Sequence, residues 1–454
     1  MPEMTFTRLI QVATTGLGLC GGLEAQTPGA DLPPMTEAMT LAEAFALAPQ
    51  ANFNLLRQQE NVAAREAQQT RARADLLPEF DLSVSQARQR VPNIGALEDV
   101  EIPGFGTLSF ADSNVTDRFD ALVRGSLSLF DANRWADFSL ARFETRIARL
   151  QVDDAAQDVL QGIAEAFLAH QREVAQLAVV EAAIARSRVL LETAQQRFAA
   201  GAGTVLDVTR AEVQLAGDEL SRLRQDATVI ESALTFEQLL NLPLDGELAL
   251  APVALVETNP APASPGLIAQ LMERRPDALV AQKTLERNDL ARRAARWERL
   301  PDLTLSGTWG YASEAWADDP QEQWSIQLGL EAPLFDGFRI AANRREAESA
   351  VRDARLVLAE LRLDVEADYR IAVVNLRARW QEVQVADQQV RLAAQELELE
   401  ENRFAEGIGD NNLVVDAQAN LAAAEGALVD AEFQYQLTRL TLARVRGAVR
   451  EFLP

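Results

Sequence analysis

The chain has 454 residues, of which 48% are hydrophobic but only 6% aromatic, and its formal net charge is -25. That length allows two or three ordinary domains with a large core, while so few aromatic residues favour long helices packed through small side chains. The acidity excludes a nucleic-acid binder, whose phosphate contacts need a basic face.

Taken from the start, Arg8 precedes an apolar run from Leu9 to Leu19, followed by small and polar residues. This is the pattern of a secretory leader over residues 1–25, cut after Ala25, and it is too short to span a membrane. Leu19 before Cys20 is bulky for a lipoprotein signal, so plain cleavage is expected, with lipidation at Cys20 as the alternative. Nothing after residue 30 offers eighteen consecutive apolar residues, so any later membrane passage would have to be made by strands.

A helix is predicted from Thr40 to Asp75. A strand at 77–89 then carries Phe80, Leu82 and Val84 on one face, and a loop runs from Val91 to Asn114. A second strand at 118–130 alternates Phe119, Ala121, Val123, Leu127 and Leu129 with polar residues. From Asp131 to Phe198 nothing breaks a helix, and Ile163, Phe167, His170, Val174, Leu177, Ile184, Leu191 and Phe198 mark an apolar stripe. A turn at 199–205 leads into a return helix from Leu206 to Leu240. After the proline-rich stretch that starts at Leu242, the order recurs. A helix at Pro276–Arg299 precedes strands at 301–312 and 323–335, then a helix at Phe338–Phe404, a turn at 405–412 and a helix at Leu413–Val449. The short helices before the strands are expected to complete the pairing of the long ones.

Three phrases are written twice. "RFAAGAGTVLDV" from Arg197 returns as "RFAEGIGDNNLVVDA" from Arg403, 206 residues later. "LLPEFDLSVS" from Leu76 returns as "RLPDLTLSGT" from Arg299, and "SLSLFDANR" from Ser126 as "EAPLFDGFR" from Glu331. The mature chain is therefore two repeats, 26–264 and 265–454. Gly201 with Gly203, and Gly407 with Gly409, are expected to reverse the backbone at φ values that other residues resist. Trp309, Tyr311, Trp316 and Trp324 cluster near one end of the second strand pair, which suits an interfacial girdle on a membrane barrel. Alternation alone also fits an ordinary half-buried sheet. In lipid, four strands cannot close a barrel, so several chains would have to share one.

With the doubled turns, the Leu-Pro strand starts and the Leu-Phe-Asp strand ends in order, the sequence resembles the TolC-like family of outer-membrane efflux and secretion channels. The resemblance spans essentially the whole mature chain. It implies a mostly α protein with a membrane β-barrel portion, in which a homotrimer forms a twelve-stranded barrel continued by an α-helical tunnel through the periplasm. It also implies a passive duct, engaged by a periplasmic adaptor and an inner-membrane transporter, without enzymatic activity or cofactor. Family members carry acidic residues just inside the hairpin tips. The matching positions here are Asp207 and Asp416; Leu413 stands where an aspartate is often found, and Asp410, Asn411 and Asn412 lie at the tip itself. The resemblance implies that these residues line the periplasmic entrance, where three inward copies of Asp416 would form a ring that favours cations. The alternative for Asp207 and Asp416 is that they help start the return helices. The adaptor-contact segments map onto Gly201, Ala202 and Gly203 and onto Gly407, Ile408 and Gly409. A soluble periplasmic coiled-coil scaffold, or an adaptor protein, is the competing reading. His170, the only histidine, is expected to be a packed structural residue, and Asp153 with Asp154 a solvated helix face. Arg71, Arg73, Arg292, Arg293 and Arg296, just before the strands, are placed to meet headgroups.

Overall fold

A computed structural model describes residues 38–92, 100–102, 106–108, 113–244, 248–314 and 319–452. The leader, Cys20 and Trp316 lie outside the described residues.

Helix α1 (Leu41–Ala51) starts at Thr40, whose hydroxyl accepts from the Glu43 amide while the Glu43 carboxylate accepts from the Thr40 amide. This reciprocal cap satisfies two amides that the chain entering a helix would otherwise leave unpaired. After α2 (Phe53–Ala74) comes Leu77-Pro78. Proline lacks an amide and pushes the residue before it towards extended backbone, so strand β1 (Glu79–Pro92) begins at once. A short hairpin, β2 (Val100–Ile102) and β3 (Gly106–Leu108), precedes β4 (Ser113–Phe130). Asp131 then accepts from the amides of Asn133 and Arg134 and opens α3 (Ala132–Ala199). Its 68 residues, at about 1.5 Å each, reach roughly 100 Å. Helix α4 (Val205–Leu239) folds back along it.

The order then recurs through α5 (Pro265–Arg274), α6 (Pro276–Trp297), β5 (Asp302–Ser313), β6 (Gln321–Glu331), α7 (Arg339–Ala405) and α8 (Asn411–Val445). A 3-10 turn at Val449–Phe452 follows. The short helices do complete the pairing: α2 lies on α3, and α6 lies against both α3 and α7. Glu144 of α3 binds Arg65 of α2 and Arg287 of α6 at 3.3 and 2.9 Å, joining the two repeats through one carboxylate.

Several expectations need correction. β1 and β4 extend past the predicted loop boundaries, paired in register from Glu79–Ser126 to Pro92–Ser113. Their outer ends are polar, so only cross-strand pairing reveals them as strand. β6 stops at Glu331 rather than at 335, because Pro333 follows within two residues. The second Leu-Phe-Asp therefore lies beyond its strand, where Asp336 accepts from the amides of Phe338 and Ile340. α8 ends at Val445, not 449, closed by Gly447 at φ +69°. The stripe on α3 is only partly buried. Phe167, Ile163, His170 and Ile184 are covered while Val174 and Phe198 are exposed, because α3 changes partners along its length. Asp154 is not simply solvated, since Arg444 of α8 reaches it at 2.9 Å and Asp158 at 2.7 Å. Arg292 and Arg293 both pair with Asp289, and Arg296 with Glu348.

The proline-rich connection between repeats is a strap rather than a free linker. Met39 and Leu250 form a parallel bridge, with amide–carbonyl distances of 2.9 Å on either side. Tyr435 accepts from the Thr258 amide and donates to the Val256 carbonyl, and Tyr369 donates to the carbonyl of Ala261. Around this level a core gathers Phe45, Leu160, Phe167, Phe236, Leu240, Val449 and Phe452, with Phe167 and Phe236 edge to face at 5.8 Å. His170 sits beside it, 3% exposed, with Nδ1 2.8 Å from the Ser232 hydroxyl. Burial holds its pKa below the ordinary histidine range, which keeps it neutral at pH 7.

Candidate functional site

Two features stand at opposite ends of the molecule. The first is the antiparallel sheet, in the order β1-β4-β5-β6, with β1 and β6 as its edges. Residues directly opposite one another share a face, so the register sorts the side chains. One row crossing the sheet is Leu82, Val123, Trp309 and Trp324. The next row on the opposite face is Asp81, Arg124, Thr308 and Ser325, with Thr308 and Ser325 hydroxyls 2.8 Å apart. The apolar face is bare: Phe80, Leu82, Ile326 and Leu330 are all more than 70% exposed. From Leu303 to Tyr311 it runs about 26 Å along the strand at ~3.3 Å per step. At the usual barrel tilt that is about 20 Å of height, near the ~25 Å apolar band of outer-membrane barrels. Trp309 and Tyr311 meet edge to face near the β5–β6 turn, and Trp309 Nε1 donates to Glu322 at 3.0 Å.

The second feature is the pair of hairpin tips. Gly201 and Gly407 have φ of +74° and +78°, and both turns reverse there. Gly203 and Gly409 serve differently from the expectation. A Cβ on either would come 3.0–3.1 Å from the amide nitrogen of Phe198 or Phe404, so they permit a close approach rather than a left-handed backbone. Asp207 forms a capping box with Thr204: its carboxylate accepts from the Thr204 amide at 2.9 Å and the hydroxyl at 2.8 Å. Asp410 is the N-cap of α8 and lies 3.6 Å from Arg210. Asn411 is 1% exposed and donates to the Asp207 carbonyl at 2.9 Å, tying one tip to the other. Asn412 and Asp416 are exposed, and among the described residues the Asp416 carboxylate makes neither a hydrogen bond nor an ion pair. Ala202 and Ile408 are exposed at the turns.

Between tip and sheet, the hairpins α3–α4 and α7–α8 meet through α3 and α8. Beside an apolar cluster that includes Leu190 and Ala194 of α3 and Ala417 and Leu421 of α8, that seam carries polar pairs: Arg186 pairs with Glu425, Gln176 donates to the Gly426 carbonyl, and Arg172 pairs with Asp430. The outer helices are different. Leu206, Val213 and Leu220 on α4 are spaced by seven and exposed, as are Val385, Leu392 and Leu399 on α7. Strict seven-residue spacing is the signature of a coiled-coil seam.

The family profile described as outer membrane efflux protein matches this chain over residues 45–242 and 267–448. The chain belongs to that family. This efflux protein is similar to the outer membrane protein OprJ of Pseudomonas aeruginosa, 26% identical over 399 residues, covering 85% of this chain and 79% of OprJ. It is 24% identical to the pyoverdine export outer membrane protein OpmQ of Pseudomonas putida, covering 85% of this chain and 80% of that one. Its fold is that of the outer membrane protein VceC of Vibrio cholerae, with a TM-score of 0.72 at 20% identity, covering 90% of this chain and 96% of VceC.

Sequence reasoning passed over three aromatic side chains of the efflux protein. Trp135 is 56% exposed at the start of α3, and Phe335 and Phe338 meet edge to face at 5.8 Å beyond β6. They lie at the end of the sheet opposite Trp309 and Trp324. Their signal was available, since each sits within five residues of a Leu-Phe-Asp phrase, but the phrase reads first as a strand end.

Proposed function

We propose that this outer-membrane efflux protein is the passive exit duct of a tripartite pump or type I secretion assembly, working as a homotrimer. One observation carries the reading: a sheet with a bare apolar face, a polar opposite face and two open edges, joined to hairpins whose long helices reach about 100 Å. In water such a face invites aggregation. In lipid it is the required surface, provided that the edges close. Four strands from each of three copies close a twelve-stranded barrel, with the polar rows lining the lumen. Trp309, Tyr311 and Trp324 then meet one membrane interface, and Phe335 and Phe338 the other.

The apolar stripes supply the joint between copies. Leu392 stands 206 residues after Arg186, and Leu220 stands 206 residues before Gly426. At the places that correspond to those polar pairs, α7 and α4 carry leucines that are exposed among the described residues. A second copy fits them: α7 of one protomer against α4 of the next repeats the α3–α8 packing.

Native mass and cell fraction test the reading. The full-length protein expressed in a Gram-negative host is expected in the outer membrane as a particle near 149 kDa, three times 49.8 kDa, less the leaders. A soluble periplasmic monomer would mean that the sheet never meets lipid.

At the entrance, Asp416 carries the selectivity proposal, because Asp207 is engaged in its capping box and Asp416 is not. Three copies give a ring of carboxylates that favours cations. Asp416→Asn is expected to lower cation over anion permeability several-fold in planar bilayers; an unchanged reversal potential would remove the assignment. The adaptor and the inner-membrane transporter are the partners this reading requires, with the exposed turn at Gly201, Ala202, Gly407 and Ile408 as the contact. The positive φ at Gly407 makes any replacement there strain the turn, so Ile408, 72% exposed, is the site to change. Ile408→Glu is expected to abolish export with the trimer intact, and normal export would refute the docking role.

A further inference from the structure

Arg197 and Arg403 close the two long helices with the same three residues, Arg-Phe-Ala, yet they are used differently. Arg197 reaches across to the other hairpin. Its Nη1 donates to the carbonyls of Phe404 and Ala405, and its Nη2 to Ala202 in its own turn. The guanidinium lies 4.6 Å from the Phe404 ring centroid, close enough for cation–π attraction, and Phe404 is only 5% exposed. Among the described residues the Arg403 side chain makes no such contact. It pairs with its own Glu400 at 2.6 Å, and Phe198, the counterpart of Phe404, is 47% exposed.

The repeat thus uses one arginine and one phenylalanine of its two matched sets and leaves the other arginine and phenylalanine open. We propose that Arg403 clasps the Phe198–Ala199 end of α3 in a neighbouring copy, as Arg197 clasps Phe404–Ala405 within the chain. The inference rests on the trimeric duct and adds to it a specific contact at the tunnel mouth. Passing from the first hairpin to the second carries α3 onto α7 and α4 onto α8. The same step again carries α7 onto the next copy's α3, so the end of α7 arrives where Phe198 waits. The stripes on α4 and α7 point to the same neighbour independently. Glu400 does not compete, because guanidinium has five donors, enough for both partners. The mouth is then ringed by six clasps, alternately within and between chains.

Cross-linking separates this contact from the assembly beneath it. Phe198→Cys with Arg403→Cys is treated with a short bismaleimide in the detergent-purified full chain, with each single-cysteine variant as control for Cys20. Arg197→Cys with Phe404→Cys is the intrachain comparison. The expected result is dimer and trimer bands on denaturing gels for the 198/403 pair and monomer alone for the 197/404 pair. If native mass shows a trimer and the 198/403 pair stays monomeric, the clasp is wrong and the duct stands. If there is no trimer, the duct reading falls and the clasp with it. Arg403→Ala gives a second reading, since release of three clasps is expected to raise the bilayer conductance of the assembled trimer several-fold. A conductance equal to wild type would overturn the clasp.

Discussion

Replacing Gly310 with valine is expected to remove the protein from the outer membrane. Gly310 lies in β5 opposite Leu122 of β4, at the centre of the sheet. A Cβ built there would sit 2.0 Å from the Ala121 carbonyl oxygen and 2.9 Å from the Leu122 Cα. Both are backbone atoms, so no side chain can turn aside, and β5 would have to part from β4. That ladder joins the strand pair of the first repeat to that of the second, and no barrel closes without it. Trimer yield from outer-membrane fractions measures the effect, and a valine variant recovered at wild-type level would show that the strands do not approach so closely. Gly307→Ala is the graded comparison. Its Cβ would meet the Ser325 carbonyl oxygen at 3.2 Å, which a small strand shift relieves, so reduced rather than lost yield is expected.

An arginine at Ile326 is expected to destabilise the assembled barrel far more than an arginine at its neighbour Gln327. Ile326 lies on the apolar face opposite Gly307, and Gln327 on the polar face opposite Ser306. On the lipid side a midplane arginine costs about 2–4 kcal/mol, whereas lumen substitutions mainly tune selectivity. Since 1.4 kcal/mol is tenfold, Ile326→Arg should shift the folding equilibrium by roughly 30- to 700-fold. Urea unfolding of the two variants in lipid vesicles reads the difference. Equal midpoints would mean that the face is not in contact with lipid.

The sequence already shows much of this architecture, and where it falls short the reasons are physical. The long helices announce themselves because 67 or 68 residues without proline leave a chain little else to do. The strands show as alternation, and Pro78 and Pro301 mark their starts. The polar ends of β1 and β4 do not alternate, so their extension becomes visible only when Val91 and Pro92 are seen paired with Asn114 and Ser113 across the ladder. The strap between repeats reads as linker because what fixes it, Tyr369 and Tyr435, comes more than 100 residues later. The tips divide in the same way. Thr204 and Asp207 lie three apart, so their capping box is local and readable. Asn411 and Arg197 act on backbone carbonyls more than 200 residues away, and a carbonyl leaves no mark in a sequence.

The strap that holds Met39 beside Leu250 also fixes how the tube is put together. Six separate hairpin units would each have to be captured from solution, giving up translational and rotational freedom five times over, at about 4–15 kcal/mol per capture. A chain that carries two units on one covalent thread faces that loss only twice. Half the joints form during folding, at any concentration, and their polar pairs can settle before a neighbour arrives. The other half wait for other copies, and there the leucines of α4 and α7 lie bare. Dilution therefore acts on only one of the two kinds of joint, so a tube coming apart should release intact double-hairpin units.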